Sequence, residues 1–228
     1  MFLRATIVVI VFLLAITWFF FPAGREHFPS LLFAMRLALP AAILALGGIG
    51  LLPQVMTLGF CLCTIGDAMG VVGSFEGQMG GFALAQICFI VQFTRDIRQS
   101  ARGITKCKPQ PAVLAAATLF CLPPLILAAL KVIPAVRELP IRIGCAIYAL
   151  LLVLASWTSI VRAFTIRNYM AMAGCLCFLT SDFILAWNKF TEHVPHASLC
   201  IMSTYYAALL LLFCGTIHSD AFRSRGRA

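Results

Sequence analysis

Two carboxylates draw attention because each lies in an apolar run and each has the same neighbours. Gly66-Asp67 sits within the run Val55–Val72 and is followed eight residues later by Phe75, while Ser181-Asp182 is followed eight residues later by Phe190. Cys61-Leu-Cys63 precedes the first acid and Cys175-Leu-Cys177 the second, and the acids are 115 residues apart in a chain of 228. An ionisable group in hydrocarbon is costly unless it is paired, neutralised or wetted, so both positions are candidate functional sites. If the two acids share a cavity, repulsion keeps them from ionising together, and near neutral pH one is protonated while the other is charged. A general acid beside a general base suits cleavage of acid-sensitive ethers, acetals or glycosides, where a proton goes to the substrate and a water is activated. The same pair suits proton-coupled transport, in which a carboxyl is loaded and unloaded as access alternates. The alternative is structural: each Asp accepts a bond from Ser, Thr or Tyr of a neighbouring helix, although Asn or Ser would do this at lower desolvation cost.

More polar groups gather round the second acid. Lys189 follows Asp182 by seven residues, two helical turns, and so shares its face. It either reaches a phosphate or snorkels to the interface as an anchor. Asn188 lies beside it, and Tyr205-Tyr206 are either interface aromatics or hydroxyl donors to the acid. Glu192-His193-Val-Pro-His196 looks like half of a metal motif, but its proline breaks the helical register and His27 and His218 give no obvious third ligand. The Cys-Leu-Cys pairs lack zinc spacing, and no Ser-His-Asp set or phosphate-cradling loop is visible. No metal or cofactor is implied.

The elements that carry these residues must be membrane helices. Hydrophobic residues make up 62% of the chain and charged residues 11%, with a mean hydropathy of +1.00. Those values exclude an ordinary soluble domain. The period-2 alternation of a barrel is absent, so the expected fold is all-α, a polytopic bundle. The ten cysteines lie mostly in apolar runs and read as small buried residues. The net charge of +9 comes from Lys and Arg between the runs, which read as topology determinants and headgroup contacts, with no nucleic acid implied.

In order, spans are expected over Ala5–Phe21, Leu31–Leu52, Gln54–Val72, Gly77–Thr94, Pro111–Val132, Pro140–Val161, Tyr169–Trp187 and Ser198–Ile217. The first lacks a small-x-small cleavage site after Pro22-Ala-Gly-Arg25 and reads as a retained helix. Gly47-Gly48-Ile-Gly50 in the second allows close helix approach, and Pro123-Pro124 should kink the fifth. The basic stretch Arg95–Lys108 divides a single membrane domain into two four-helix halves, 1–108 and 109–228, related as a parallel pseudo-repeat. Counting Lys and Arg gives 11 on the side of the termini, among them Arg4, Lys106, Arg162, Arg167, Arg223, Arg225 and Arg227, against 6 on the other, Arg25 included. Both termini are therefore expected in the cytoplasm.

Four stretches carry a resemblance. Gly66-Asp67 with Phe75, the run Gly81-Phe82-Ala-Leu-Ala85-Gln86-Ile-Cys-Phe89, the stretch Ser181-Asp182-Phe-Ile-Leu-Ala186-Trp-Asn188-Lys189-Phe190, and Thr204-Tyr205-Tyr206-Ala-Ala208 together resemble the lysoplasmalogenase-like (YhhN) family of eight-helix membrane proteins. The S-D-x-x-x-A-x-N-K-F stretch is the most specific of them. The resemblance implies hydrolysis of the vinyl ether bond of lysoplasmalogens to a fatty aldehyde and glycerophospho-ethanolamine or glycerophospho-choline, with a lysophospholipid as substrate and membrane lipids around it. Asp67 and Asp182 would be acid and base, in either order, and Gln86, Asn188, Lys189, Tyr205 and Tyr206 would line the substrate site. The chain departs from the family at three positions. Gln86 and Phe89 stand where the fourth helix usually has a histidine and, three residues on, a tyrosine; Leu209 stands where a glutamine usually follows the tyrosine pair. Gln86 can hydrogen-bond but cannot shuttle a proton. A proton-coupled transporter or a non-catalytic lysolipid-binding protein of the same fold is the alternative reading.

Overall fold

The computed structural model describes residues 2–21, 34–102 and 108–225, with side chains as far as Ile217. Pro22-Ala-Gly-Arg25, His27, Lys106, Arg227 and the side chains of His218, Arg223 and Arg225 lie outside the described residues. Among the described residues the structure is helical, without a strand. The helices are α1 (Phe2–Phe20), α2 (Leu39–Gly48), α3 (Gln54–Val71), α4 (Phe75–Arg102), α5 (Pro111–Leu127), α6 (Leu139–Ile166), α7 (Met170–Phe190) and α8 (Ala197–Arg225). A 3₁₀ turn, Met35–Leu37, leads into α2, and α5 runs on through a π-helical stretch, Ala128–Val132, to Ala135.

Six of these are long and apolar enough to cross a membrane: α1, α3, α5 with its extension, α6, α7, and α8 to Ile217. The protein is thus an integral, multi-pass membrane protein. Two expected spans differ. The described part of Leu31–Leu52 holds only the ten-residue α2, about 15 Å at 1.5 Å per residue, with 31–33 outside the described residues. Helix α4 is longer than expected, 28 residues, because the helix continues into the basic stretch as far as Arg102. Gln78, Gln86, Gln92 and its charged end make it less apolar than the other long helices.

The chain forms two compact units, Met1–Cys88 and Phe89–Ala228, and the boundary falls within α4. In the first unit small residues set the helix spacing. A Cβ on Gly47 would lie 2.5 Å from a methyl of Val8, so α1 and α2 touch where the glycines permit. Arg4 Nη2 ties the same pair by donating to the carbonyl of Ile49 (2.6 Å). Helix α4 starts at a tight turn in which Gly73 takes φ +84° and Ser74 Oγ accepts from the Gly77 N–H (3.1 Å), a side-chain N-cap. Glu76 in its first turn complements the helix dipole. Helices α3 and α4 then meet glycine to glycine: a Cβ on Gly81 would stand 2.8 Å from Cα of Gly66.

In the second unit α5 begins at Pro111, where the missing N–H costs nothing. Pro123 and Pro124 remain inside the helix, and the departure from α geometry is the π-helical stretch that starts four residues later. The core includes Ala117, Cys121, Ile160 and Val161, with Trp157, Met172 and Leu176 packed round them. The α6–α7 turn is set by Arg167 in the left-handed region (φ +55°) and by Asn168, whose Nδ2 donates to the carbonyl of Gly215 on α8 (2.6 Å).

Helix α4 is joined to α6 by a buried ion pair that the sequence analysis did not foresee. Arg162 Nε donates to Asp96 Oδ2 (2.6 Å), Gln92 Nε2 donates to Asp96 Oδ1 (2.7 Å), and the guanidinium lies 5.3 Å from the centre of the Phe93 ring. Both ionised side chains are 1% exposed. Arg162, counted above as a loop cation, therefore belongs to the interior: α6 continues past Val161 to Ile166, and the carboxylate of Asp96 stabilises the guanidinium there.

Two predictions concern stability, read as thermal unfolding in detergent. Gly81→Ala should destabilise by about 1–3 kcal/mol through overpacking against the backbone of Gly66. Gly80→Ala, with nothing within 4 Å of its Cβ, should be neutral or better, and equal melting of the two variants would refute the close crossing. Asp96→Ala should cost about 3–5 kcal/mol by stranding the guanidinium, while Asp96→Leu with Arg162→Met should recover most of it. A single variant as stable as the parent protein would show that the pair is not coupled to folding.

Candidate functional site

Helix α7 is apolar except near its second half. Asp182 stands 12 residues after its start, about 18 Å along the axis, and is 6% exposed. Its neighbour Ser181 donates to the carbonyl of Ile201 on α8 (3.0 Å) and thereby faces away from α6. The hydroxyl that reaches Asp182 is that of Tyr148, from the middle of α6, which donates to Oδ2. Tyr205 and Tyr206 are buried, 3% and 2% exposed, and are not donors to this acid. Tyr205 packs edge-on against Phe178 at 5.5 Å between centroids and lies 5.6 Å from the Tyr206 ring, so the pair forms an aromatic wall between α7 and α8 and is not an exposed interface belt.

At the end of α7 the polar residues do different work. Asn188 Oδ1 accepts from the Val194 N–H (2.9 Å) and so holds the α7–α8 connection. Lys189 is exposed, with Nζ 5.9 Å from the centre of the Phe190 ring. Glu192-His193-Val-Pro-His196 lies in that connection outside any helix, with His196 at φ +54°. No group of three or more His, Cys, Asp or Glu able to hold a metal occurs among the described residues.

In the first unit Asp67 is buried in α3, 1% exposed, beside the glycine crossing. Gln86 is 2% exposed on α4. It follows Phe82 by four residues and so shares its face, the face whose ring packs at Gly66. Its Nε2 makes no hydrogen bond to the described residues. Phe89 and Leu209, the other two departures from the family pattern, are fully buried. The residues named from sequence thus divide: Asp67 and Gln86 belong to one unit, and Asp182, Asn188, Lys189, Tyr205 and Tyr206 to the other.

Sequence reasoning missed Tyr148. Its signal was faint: one of four tyrosines, placed mid-span and not at a helix end. What the assembled residues offer is a carboxyl sheltered from water in an apolar helix, with one oxygen held by a neutral donor. Such a group can give or take a proton without a counter-charge beside it.

Comparison with known proteins finds relatives over part of the chain. Lysoplasmalogenase TMEM86B of Homo sapiens is 39% identical over 74 residues, 32% of this chain and 30% of that protein. Lysoplasmalogenase TMEM86B of Mus musculus is 36% identical over 77 residues, 34% of this chain and 32% of that protein. Lysoplasmalogenase TMEM86A of Bos taurus is 43% identical over 49 residues, 22% of this chain and 20% of that protein. The matched stretch thus spans about a third of these relatives' length or less. No solved structure matches the chain. The pattern of the YhhN family, by contrast, matches residues 28–216, most of the sequence and all of the candidate site residues, and the chain belongs to that family.

Proposed function

We propose that this protein hydrolyses the vinyl ether bond of lysoplasmalogens within the membrane, releasing a fatty aldehyde and glycerophospho-ethanolamine or glycerophospho-choline. The observation that carries the reading is Asp182: a carboxyl sheltered in an apolar span, in the stretch that bears the most specific family pattern. Membership of the YhhN family and the names of the relatives support the substrate class. Asp67 and Asp182 serve as acid and base. One donates a proton to the enol ether carbon, which leaves an oxocarbenium-like cation; the other activates the water that adds to it, and the hemiacetal collapses. Lys189 meets the phosphate, with Asn188 shaping the loop beside it, while Tyr205, Tyr206 and Gln86 line the site.

The arrangement that serves this chemistry has eight passes in two four-helix halves, 1–108 and 109–228, as a parallel repeat that gives each half one acid at similar depth. Both termini face the cytoplasm, since setting Arg162 aside still leaves 10 cations against 6. The second reading is proton-coupled transport or lysolipid binding without cleavage, and Gln86, an amide where the family usually has a titratable histidine, favours its binding form.

Aldehyde release from a lysoplasmalogen by purified protein tests the proposal. Asp67→Asn and Asp182→Asn should each lower it by at least about 10²-fold while the protein stays folded in detergent. An acid whose amide variant keeps near-normal rates has no catalytic role. Gln86→His should be tolerated, with activity equal or higher. Proton uptake coupled to movement of intact lysolipid, with no aldehyde, would decide for the second reading.

A further inference from the structure

A lone aspartate in an apolar helix has two chemically equivalent oxygens and a broad χ2 torsion, so by itself it presents no fixed proton position. Asp182 is not left in that state. Tyr148, 34 residues away on α6, donates its hydroxyl to Oδ2, and no other hydrogen bond reaches the carboxyl among the described residues. The neighbouring hydroxyls do not compete. Ser181 is committed to the carbonyl of Ile201, and Thr180 to that of Leu176 in its own helix.

We infer that Tyr148 is the positioning residue of Asp182: by holding Oδ2 as acceptor it places the acidic proton on Oδ1 and orients that oxygen toward the vinyl ether. This rests on the hydrolase reading above, with Asp182 as the acid. In a neutral carboxyl the carbonyl oxygen is the acceptor and the other oxygen carries the hydrogen, so one donor removes the ambiguity. As the reaction proceeds, the O–H bond at Oδ1 breaks and a C–H bond forms at the enol ether carbon. Positive charge is then shared between the adjacent carbon and the ether oxygen, and Asp182 becomes a carboxylate. The hydrogen bond from Tyr148 becomes charge-assisted at that moment. It is therefore stronger in the transition state than in the ground state, the condition for raising kcat. Water adds to the cationic carbon and gives its proton to a carboxylate, and the hemiacetal releases aldehyde and alcohol, so no other reactant is needed. The tyrosine keeps its proton throughout.

Tyr148→Phe deletes the hydroxyl and keeps the ring. With a lysoplasmalogen as substrate, kcat should fall about 10–100-fold, with KM within about twofold and melting in detergent little changed. In infrared spectra of the acid form, the carbonyl band of Asp182, identified by its loss in Asp182→Asn, should move to higher frequency in Tyr148→Phe. A fluorinated tyrosine at the same position keeps the shape, should retain activity, and should move that band the opposite way, which serves if the phenylalanine variant does not fold. A kcat within twofold of the parent protein, or an unmoved carbonyl band, would overturn the inference. If the parent protein releases no aldehyde, the hydrolase reading fails as well; if it does and Tyr148→Phe is unimpaired, only the role of Tyr148 fails.

Discussion

The cost of taking a carboxylate out of water governs this structure. Three aspartates, Asp67, Asp96 and Asp182, are at most 6% exposed in a protein whose helices face hydrocarbon. Asp96 and Asp182 resolve that cost in opposite ways. Asp96 has a full cation against one oxygen and an amide against the other, so both of its oxygens are held by protein donors. Asp182 has a neutral hydroxyl on one oxygen only. The first arrangement makes a strut, because both charges are satisfied only when α4 and α6 are in register. The second leaves one carboxyl oxygen without a protein donor among the described residues, which is what acid–base work on a ligand would require.

Helices in a bilayer gain little from burying apolar surface against one another, so packing must come from small residues and polar ties. In the second unit neighbouring helices share such ties. Trp157 Nε1 donates to Thr118 Oγ1 (3.1 Å) between α6 and α5, and Tyr148 reaches Asp182 between α6 and α7. Ser181 joins α7 to α8, and Asn168 joins the α6–α7 turn to α8. Gly215 against the backbone of Ala171 lets α7 and α8 approach closely enough for those bonds, since a Cβ there would lie 2.5 Å from the Ala171 nitrogen. Helix α7 is thus held from both sides close to its acid. The first unit relies more on glycine, at Gly47 and at the Gly66–Gly81 crossing beside Asp67.

Much of this could be read from sequence, for reasons that also explain what could not. The long apolar runs announce α1, α3, α5, α6, α7 and α8, because length and composition alone decide whether a helix can cross. The burial of Asp67 and Asp182 follows from their place inside such runs. Partners chosen by tertiary packing leave no such trace. Tyr148 meets Asp182 from another helix, and nothing in its own run marks it. Arg162 sits just past an apolar stretch, where counting assigns a cation to the loop; the carboxylate of Asp96, 66 residues earlier, holds it inside. Helix ends mislead for the same reason. Helix α4 runs on to Arg102 with Arg95 and Arg98 exposed and Asp96 turned inward, so a charged segment that reads as a connection is a helix with one buried face.

The amide at position 86 bears on which chemistry the buried acids serve. A buried donor without a hydrogen bond costs about 1–3 kcal/mol, and Gln86 Nε2 is such a donor, so this residue is a poor choice for stability alone. An amide can hydrogen-bond a polar group but cannot pass a proton along a chain of titratable groups. Transport of protons needs that chain, because each proton must leave on the side opposite its entry. Hydrolysis of a vinyl ether does not. The proton delivered to carbon is returned by the attacking water, and the hemiacetal proton passes to the departing alcohol, so the reaction closes on itself without exchange with bulk solvent. A carboxyl oriented by a tyrosine can give and recover that proton locally. The loss of a titratable group at position 86 therefore weighs more heavily against proton transport than against hydrolysis.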